Sequence, residues 1–212
     1  ASTPNLFVQT GTAFMHDMGL SNSVGVNAFG DCTNDQKKCY KFPNGVNINS
    51  SYEVTDEVME KIVFYLSSLS PPRRRNVSDK DVLYGKKIFY ESKCTTCHTP
   101  KYVTSKNAKH DFLKYQLIWP YTDLLLHDMG DELADLDING NITNKEWKTP
   151  PLWGIGYAKE VNSRATFLHD GRANTLLEAV LWHSGEAKNS IDFLLKNYKD
   201  DLNKLVIFLK SL

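Results

Sequence analysis

The 212-residue chain lacks net charge, because 25 Lys plus Arg stand against 25 Asp plus Glu. That balance leaves no global electrostatic footprint for nucleic acid or an anionic membrane surface. Long apolar runs are missing too. The longest, such as Leu205 to Leu209, fall far short of a bilayer crossing, so no transmembrane segment is expected. The opening Ala1-Ser2-Thr3-Pro4 has neither a basic start nor an apolar signal core, from which we expect an exported protein whose signal has been removed. Periodic strand patterns are absent. Cysteine is scarce, at four in the whole chain, and two of the four fall within one pentapeptide.

That pentapeptide is Cys94-Thr95-Thr96-Cys97-His98. Two thiols for the vinyl groups and an imidazole for the iron make it the attachment sequence of a c-type haem. Composition gives only about 0.002 chance occurrences of the pattern. A zinc half-site would need a second ligand pair, and a redox dithiol would need a βαβ context; the sequence offers neither. The cofactor expected is therefore one covalent haem c. The other cysteines, Cys32 and Cys39, lie in a polar stretch whose spacing suits a disulfide closing a small surface loop. Disulfide formation and covalent haem attachment both belong outside the cytoplasm, and together they point to the periplasm.

Two segments resemble each other along the chain. His16-Asp17-Met18-Gly19 recurs as His127-Asp128-Met129-Gly130, and Ile62 to Leu69 resembles Leu205 to Leu212. Only the second copy carries the haem motif, which suggests that the first has lost its opening half. The division expected is a partial unit over 1–72, a linker over 73–78 and a haem-binding unit over 79–212. Apolar spacing predicts helices from Asp56 to Leu69, with Val58, Ile62, Tyr65, Leu66 and Leu69 on one face, and from a Ser78 cap to Tyr90, with Val82, Gly85, Ile88 and Phe89 inward. Further helices are expected over Tyr121 to Met129, Thr175 to His183 and Lys199 to Leu212. The fold class read from this is all-α: a cytochrome c-like helical domain preceded by a partial second unit of the same kind.

The segments Pro120 to Gly130, Glu146 to Gly154, Phe167 to Ala173 and Trp182-His183-Ser184-Gly185-Glu186-Ala187 resemble the di-haem oxidoreductase family, which is related to bacterial di-haem cytochrome c peroxidases. The resemblance covers essentially the whole chain. It implies oxidoreductase chemistry at haem, and a family normally equipped with two attachment motifs where this chain has one. A second haem on a missing segment or a partner chain follows as one expectation.

His98 is the expected proximal ligand, with its other nitrogen given to a backbone carbonyl. For the sixth position Met129 is the first choice, 31 residues on and beside a glycine, and His127 the alternative. The resemblance places His169, Asp170 and Arg172 near the haem. Arg172 would pair either with a propionate or with Asp170. His183 reads as a structural histidine, and His16 and Met18 as scaffold. Asp135, Asp137, Asn139, Gly140, Asn141 and Glu146 fill the defining positions of a twelve-residue calcium loop; the competing reading is a surface turn. The function expected is single-electron transfer with a redox partner protein, for which the Lys101 to Lys114 segment offers a basic docking face. The alternative is a peroxidase in which His127, His169 or Arg172 assists at an open iron.

Overall fold

The computed structural model describes residues 3–46 and 50–212. Among these described residues 43% is helix and 8% strand, the strands pairing in three two-stranded antiparallel sheets. The all-α, cytochrome c-like expectation is thereby corrected to a mixed helix-and-sheet fold. Each strand has only two or three residues, too few for alternation to register in the sequence. The chain divides into two compact units, Ala1–Ser70 and Pro71–Leu212.

In the first unit, helix α1 (Leu6–Met18) begins at Asn5, whose side chain accepts the Val8 N–H at 3.0 Å, and ends at Gly19 in the left-handed region. Helix α2 (Asp56–Ser68) carries Asp56 and Glu57 in its first turn, where the helix dipole favours negative charge. Its buried stripe is Met59 and Val63. The expected face fails by one position: Val58, Tyr65, Leu66 and Leu69 are exposed. A disulfide joins Cys32 to Cys39. His16 and Met18 occupy the exposed last turn of α1 rather than packing as scaffold.

The second unit is organised by two helices. Helix α3 (Lys80–Glu91) starts at Asp79, whose carboxylate accepts the N–H groups of Asp81 and Val82, one residue past the expected Ser78 cap. It buries Val82, Gly85, Ile88 and Phe89, as its periodicity predicts. Helix α7 (Leu202–Ser211) lies against it and buries Leu205, Phe208 and Leu209, with Leu212 just beyond. The Phe89 and Phe208 rings meet at 5.3 Å between centroids. Burying each such side chain stabilises the fold by about 2 kcal/mol, so the α3–α7 seam is the main anchor of the segment that follows α3.

Between these helices run strands β1 (Tyr102–Val103), β2 (Leu117–Ile118), β3 (Leu126–Asp128), β4 (Asp135–Leu136), β5 (Ile142–Asn144) and β6 (Glu146–Lys148), paired β1–β2, β3–β6 and β4–β5. Helices α4 (Ala158–Val161), α5 (Leu176–Leu181) and α6 (Lys188–Tyr198) follow. The helix expected over Tyr121 to Met129 does not form. Tyr121 and Leu124 adopt positive φ of 54° and 62°, which breaks the helical ladder, and the chain emerges as β3. Arg73 to Arg75 are no loose linker either. The Arg75 N–H donates to Ser211 at 2.9 Å, its guanidinium donates to the Gly156 and Lys210 carbonyls, and it lies 4.1 Å from the Tyr157 ring centroid.

Candidate functional site

Immediately after α3, Lys93 enters the left-handed region and Cys94–Thr96 make a single 3₁₀ turn. The His98 N–H donates to the Cys94 carbonyl at 2.9 Å, which ties both ends of the pentapeptide together. Cys94 and Cys97 are free thiols. Burial pushes the Cys94 thiol up to about 12 and raises Cys97 as well, so both are held protonated. The His98 ring stands 6.1 Å from the Phe89 ring, and burial pulls its pKa down to about 4. The imidazole is therefore neutral. Its Nδ1 lies 3.0 Å from the Tyr121 carbonyl oxygen, which assigns the proton to Nδ1 as donor and leaves Nε2 with a lone pair. The loop carrying that carbonyl is fastened on both sides: the Thr122 N–H donates to Thr99 at 3.0 Å and the Leu152 N–H to Pro120 at 2.8 Å. Two thiols on one turn and an imidazole of fixed tautomer beside them fit a covalently attached haem.

The other expected residues fall in three places. Met129 follows β3, half-buried, its N–H donating to Lys145 at 2.9 Å and its carbonyl accepting from the Ser184 hydroxyl. A Cβ on Gly185 would come within 2.7 Å of the Met129 carbonyl carbon, so only glycine lets the two segments touch. His127 is held by both ring nitrogens, Nδ1 to Glu186 and Nε2 to Asp123, each at 2.8 Å. Those bonds, to Glu186 first and then Asp123, raise its pKa. Its ring, Asp123 and Cys97 converge, with their ligand atoms within 4.8 Å of one another.

His169 and Arg172 lie elsewhere in the unit. The His169 ring stacks on Trp147 at 3.6 Å, and its Nε2 lies 3.2 Å from Asp135. Arg172 Nε donates to Asp170 at 2.6 Å, its Nη1 to the Glu132 carbonyl, and its guanidinium covers the Trp182 ring. Arg172 thus makes the loop bond to Asp170. The expected calcium loop is the β4–β5 hairpin, flanked by strands. The Asp137 carboxylate accepts from the Asn139 and Asn141 N–H groups at 2.8 Å and from Asn141 Nδ2 at 2.9 Å, while the Asn141 carbonyl accepts the Asp137 N–H. Asn139 and Asn141 are exposed, and Glu146 pairs in β6 with Asp128 of β3.

One residue that its sequence context marks as structural stands near the motif. His183 stands with its ring centroid 6.4 Å from that of His98, and its Nδ1 lies 2.7 Å from the Ala179 carbonyl oxygen. The sequence signal that marks it is position: a histidine two residues beyond the end of a short helix, where a backbone carbonyl left without a helical N–H can fix the ring.

Among the described residues no helix is long and apolar enough to cross a membrane. Comparison with curated proteins and with solved structures finds no match to the chain. The family model described as di-haem oxidoreductase, putative peroxidase, matches residues 1–212. With two free thiols, a neutral imidazole and the whole length covered by that model, the chain belongs to the di-haem oxidoreductase family.

Proposed function

We propose that this haem oxidoreductase is an exported, periplasmic single-electron carrier with one covalent haem c. In this reading Cys94 and Cys97 hold the haem by thioether bonds and His98 binds the iron through Nε2. The bound haem would supply reversible one-electron chemistry between redox partner proteins. The first unit enters the proposal as a partial repeat without a haem of its own, so any second haem belongs to a further segment or a partner chain.

One observation carries electron transfer over peroxidase action. Cleaving a peroxide bond calls for a proton donor or acceptor free to serve it. The three candidates are committed elsewhere: His127 through both nitrogens, His169 to Trp147 and Asp135, and Arg172 to Asp170 and the Glu132 carbonyl. The family's description favours the second reading, a peroxidase. Calcium has no place in the proposal, since the Asp137 carboxylate and the Asn141 carbonyl are turned onto the hairpin's own N–H groups.

The test is an intact mass with a haem-to-polypeptide ratio, followed by stopped-flow mixing with hydrogen peroxide. One haem per chain and no rapid spectral change supports the carrier. Fast peroxide-dependent bleaching or turnover with a reduced donor supports the peroxidase instead.

A further inference from the structure

His183 and His98 form a pair within the second unit, their ring centroids 6.4 Å apart and their planes at 48°. A metal–imidazole bond is about 2 Å long and the bonded nitrogen lies roughly 1.1 Å from the ring centroid, so imidazoles on opposite sides of one metal have centroids about 6.3 Å apart. The observed separation matches. The angle between planes adds no constraint, because each ring can turn about its own metal–nitrogen bond.

Both rings are oriented by the same device. Helix α5 ends at Leu181, and the last carbonyls of any helix lack N–H partners within it. His183 Nδ1 takes one of them, the Ala179 oxygen at 2.7 Å, as His98 Nδ1 takes the Tyr121 oxygen at 3.0 Å. A ligating histidine that donates its second N–H to a backbone carbonyl has its tautomer and ring direction fixed for metal at Nε2. The hydrogen bonds at His98 Nδ1 and His183 Nδ1 leave Nε2 of each ring as the nitrogen available to a metal. An open cleft of about 900 Å³ borders the His183 ring on the side of Leu181, Ser184 and Glu186, and His98 and the two cysteines are not among its lining residues. His127 is unlike the pair, since both of its nitrogens are spent on carboxylates.

We infer that His183 Nε2 is the sixth ligand of the iron held by Cys94, Cys97 and His98, giving a bis-imidazole centre in place of the histidine–methionine centre that Met129 would make. The inference rests on the proposed covalent haem. Coordination uses the Nε2 lone pair of a neutral ring, so no proton or electron is transferred in forming it. Its consequence is an iron closed to peroxide and a lower reduction potential than methionine ligation gives.

The experiment is spectroscopic, on purified ferric holoprotein. Wild type is expected to be low-spin and to lack the weak far-red absorption band of a methionine–iron bond. His183→Ala should become high-spin and bind cyanide at least tenfold faster, and added imidazole should restore the low-spin spectrum. Met129→Leu should leave the wild-type spectrum unchanged. If His183→Ala fails to accumulate, the wild-type near-infrared magnetic circular dichroism decides alone, since bis-imidazole and imidazole–thioether iron absorb at different energies. A methionine–iron band in wild type that Met129→Leu abolishes would overturn the assignment, as would a low-spin His183→Ala. A chain that accepts no covalent haem would instead overturn the proposed function, and the mass measurement separates that failure from the ligand result.

Discussion

A Cβ on Gly85 would lie 1.9 Å from the Lys204 carbonyl oxygen and 2.8 Å from the Phe208 Cβ. Helices α3 and α7 touch there backbone to side, and no side chain fits without moving one of them. Gly85→Ala is therefore expected to destabilise the second unit by about 3 kcal/mol, lowering its Tm by roughly 10 °C. Because α3 leads directly into Cys94, the displaced helix should also reduce the haem-to-polypeptide ratio of expressed protein. Differential scanning calorimetry and the haem ratio check both. A variant as stable as wild type would mean that the seam can open at little cost.

The readable parts of the fold were those where side-chain periodicity and burial coincide. Val82, Gly85, Ile88 and Phe89 recur at helical spacing and all four are buried against α7. In α2 the same rule chose the wrong face. Val58, Tyr65 and Leu69 recur as regularly as Met59 and Val63, and periodicity does not tell which of two apolar stripes the fold covers. The Tyr121 to Met129 stretch misled for a different reason. Its leucines suit a helix, but the positive φ at Tyr121 and Leu124 is a tertiary choice that no local preference announces. His127-Asp128-Met129-Gly130 and His16-Asp17-Met18-Gly19 make the point sharply, one ending a strand and the other a helix. At the site, the covalent motif was legible because its chemistry is local. The His98–His183 pair was not, since 85 residues separate partners that only the fold brings together.

The Cys32–Cys39 bond closes a loop with a sequence separation of 7. Loop-closure entropy for so short a ring is worth about 2.5 kcal/mol. Replacing both cysteines by serine should destabilise the first unit by about that much, seen as a lowered thermal transition, and leave the haem spectrum untouched, because Cys94, Cys97 and His98 all belong to the other unit. Fluorescence melts of the double variant beside a Soret-region spectrum test this. A changed Soret band in the double variant would contradict it.

In the β4–β5 hairpin, Asp137 accepts three hydrogen bonds from Asn139 and Asn141, and the Asn141 side-chain bond is the largest cause of its lowered pKa. An anion satisfied in this way gains little from a cation. Millimolar calcium is expected to shift the Tm by no more than about 1 °C, whereas calcium at a hundredfold over its Kd would add about 2.7 kcal/mol and raise the Tm by several degrees. A rise of several degrees that Asp137→Asn removes would restore the calcium reading.

His127 sits between Glu186 and Asp123 as the shared cation of two carboxylates. Its hydrogen bonds to Glu186 and then Asp123 raise its pKa above the ordinary histidine value. Glu186 is lowered, chiefly by the bond from His127. Asp123 is lowered too: burial, its largest influence, pushes it up, but hydrogen bonds from the Leu125 N–H, His127 and Thr149, with the His127 charge, outweigh that. A histidine with a raised folded pKa contributes stability that is fully present below its unfolded value of about 6.5 and is lost as pH rises through the folded value. The two carboxylates contribute above their unfolded values of about 4 and lose their contribution as pH falls through the lowered ones. The Tm advantage of wild type over His127→Gln should therefore be greatest between about pH 5 and 6.5 and should shrink steadily above about pH 7. Paired melts across pH 4 to 9 measure it. An advantage that stays constant through that range would mean the charge on His127 contributes nothing and its bonds act only as packing.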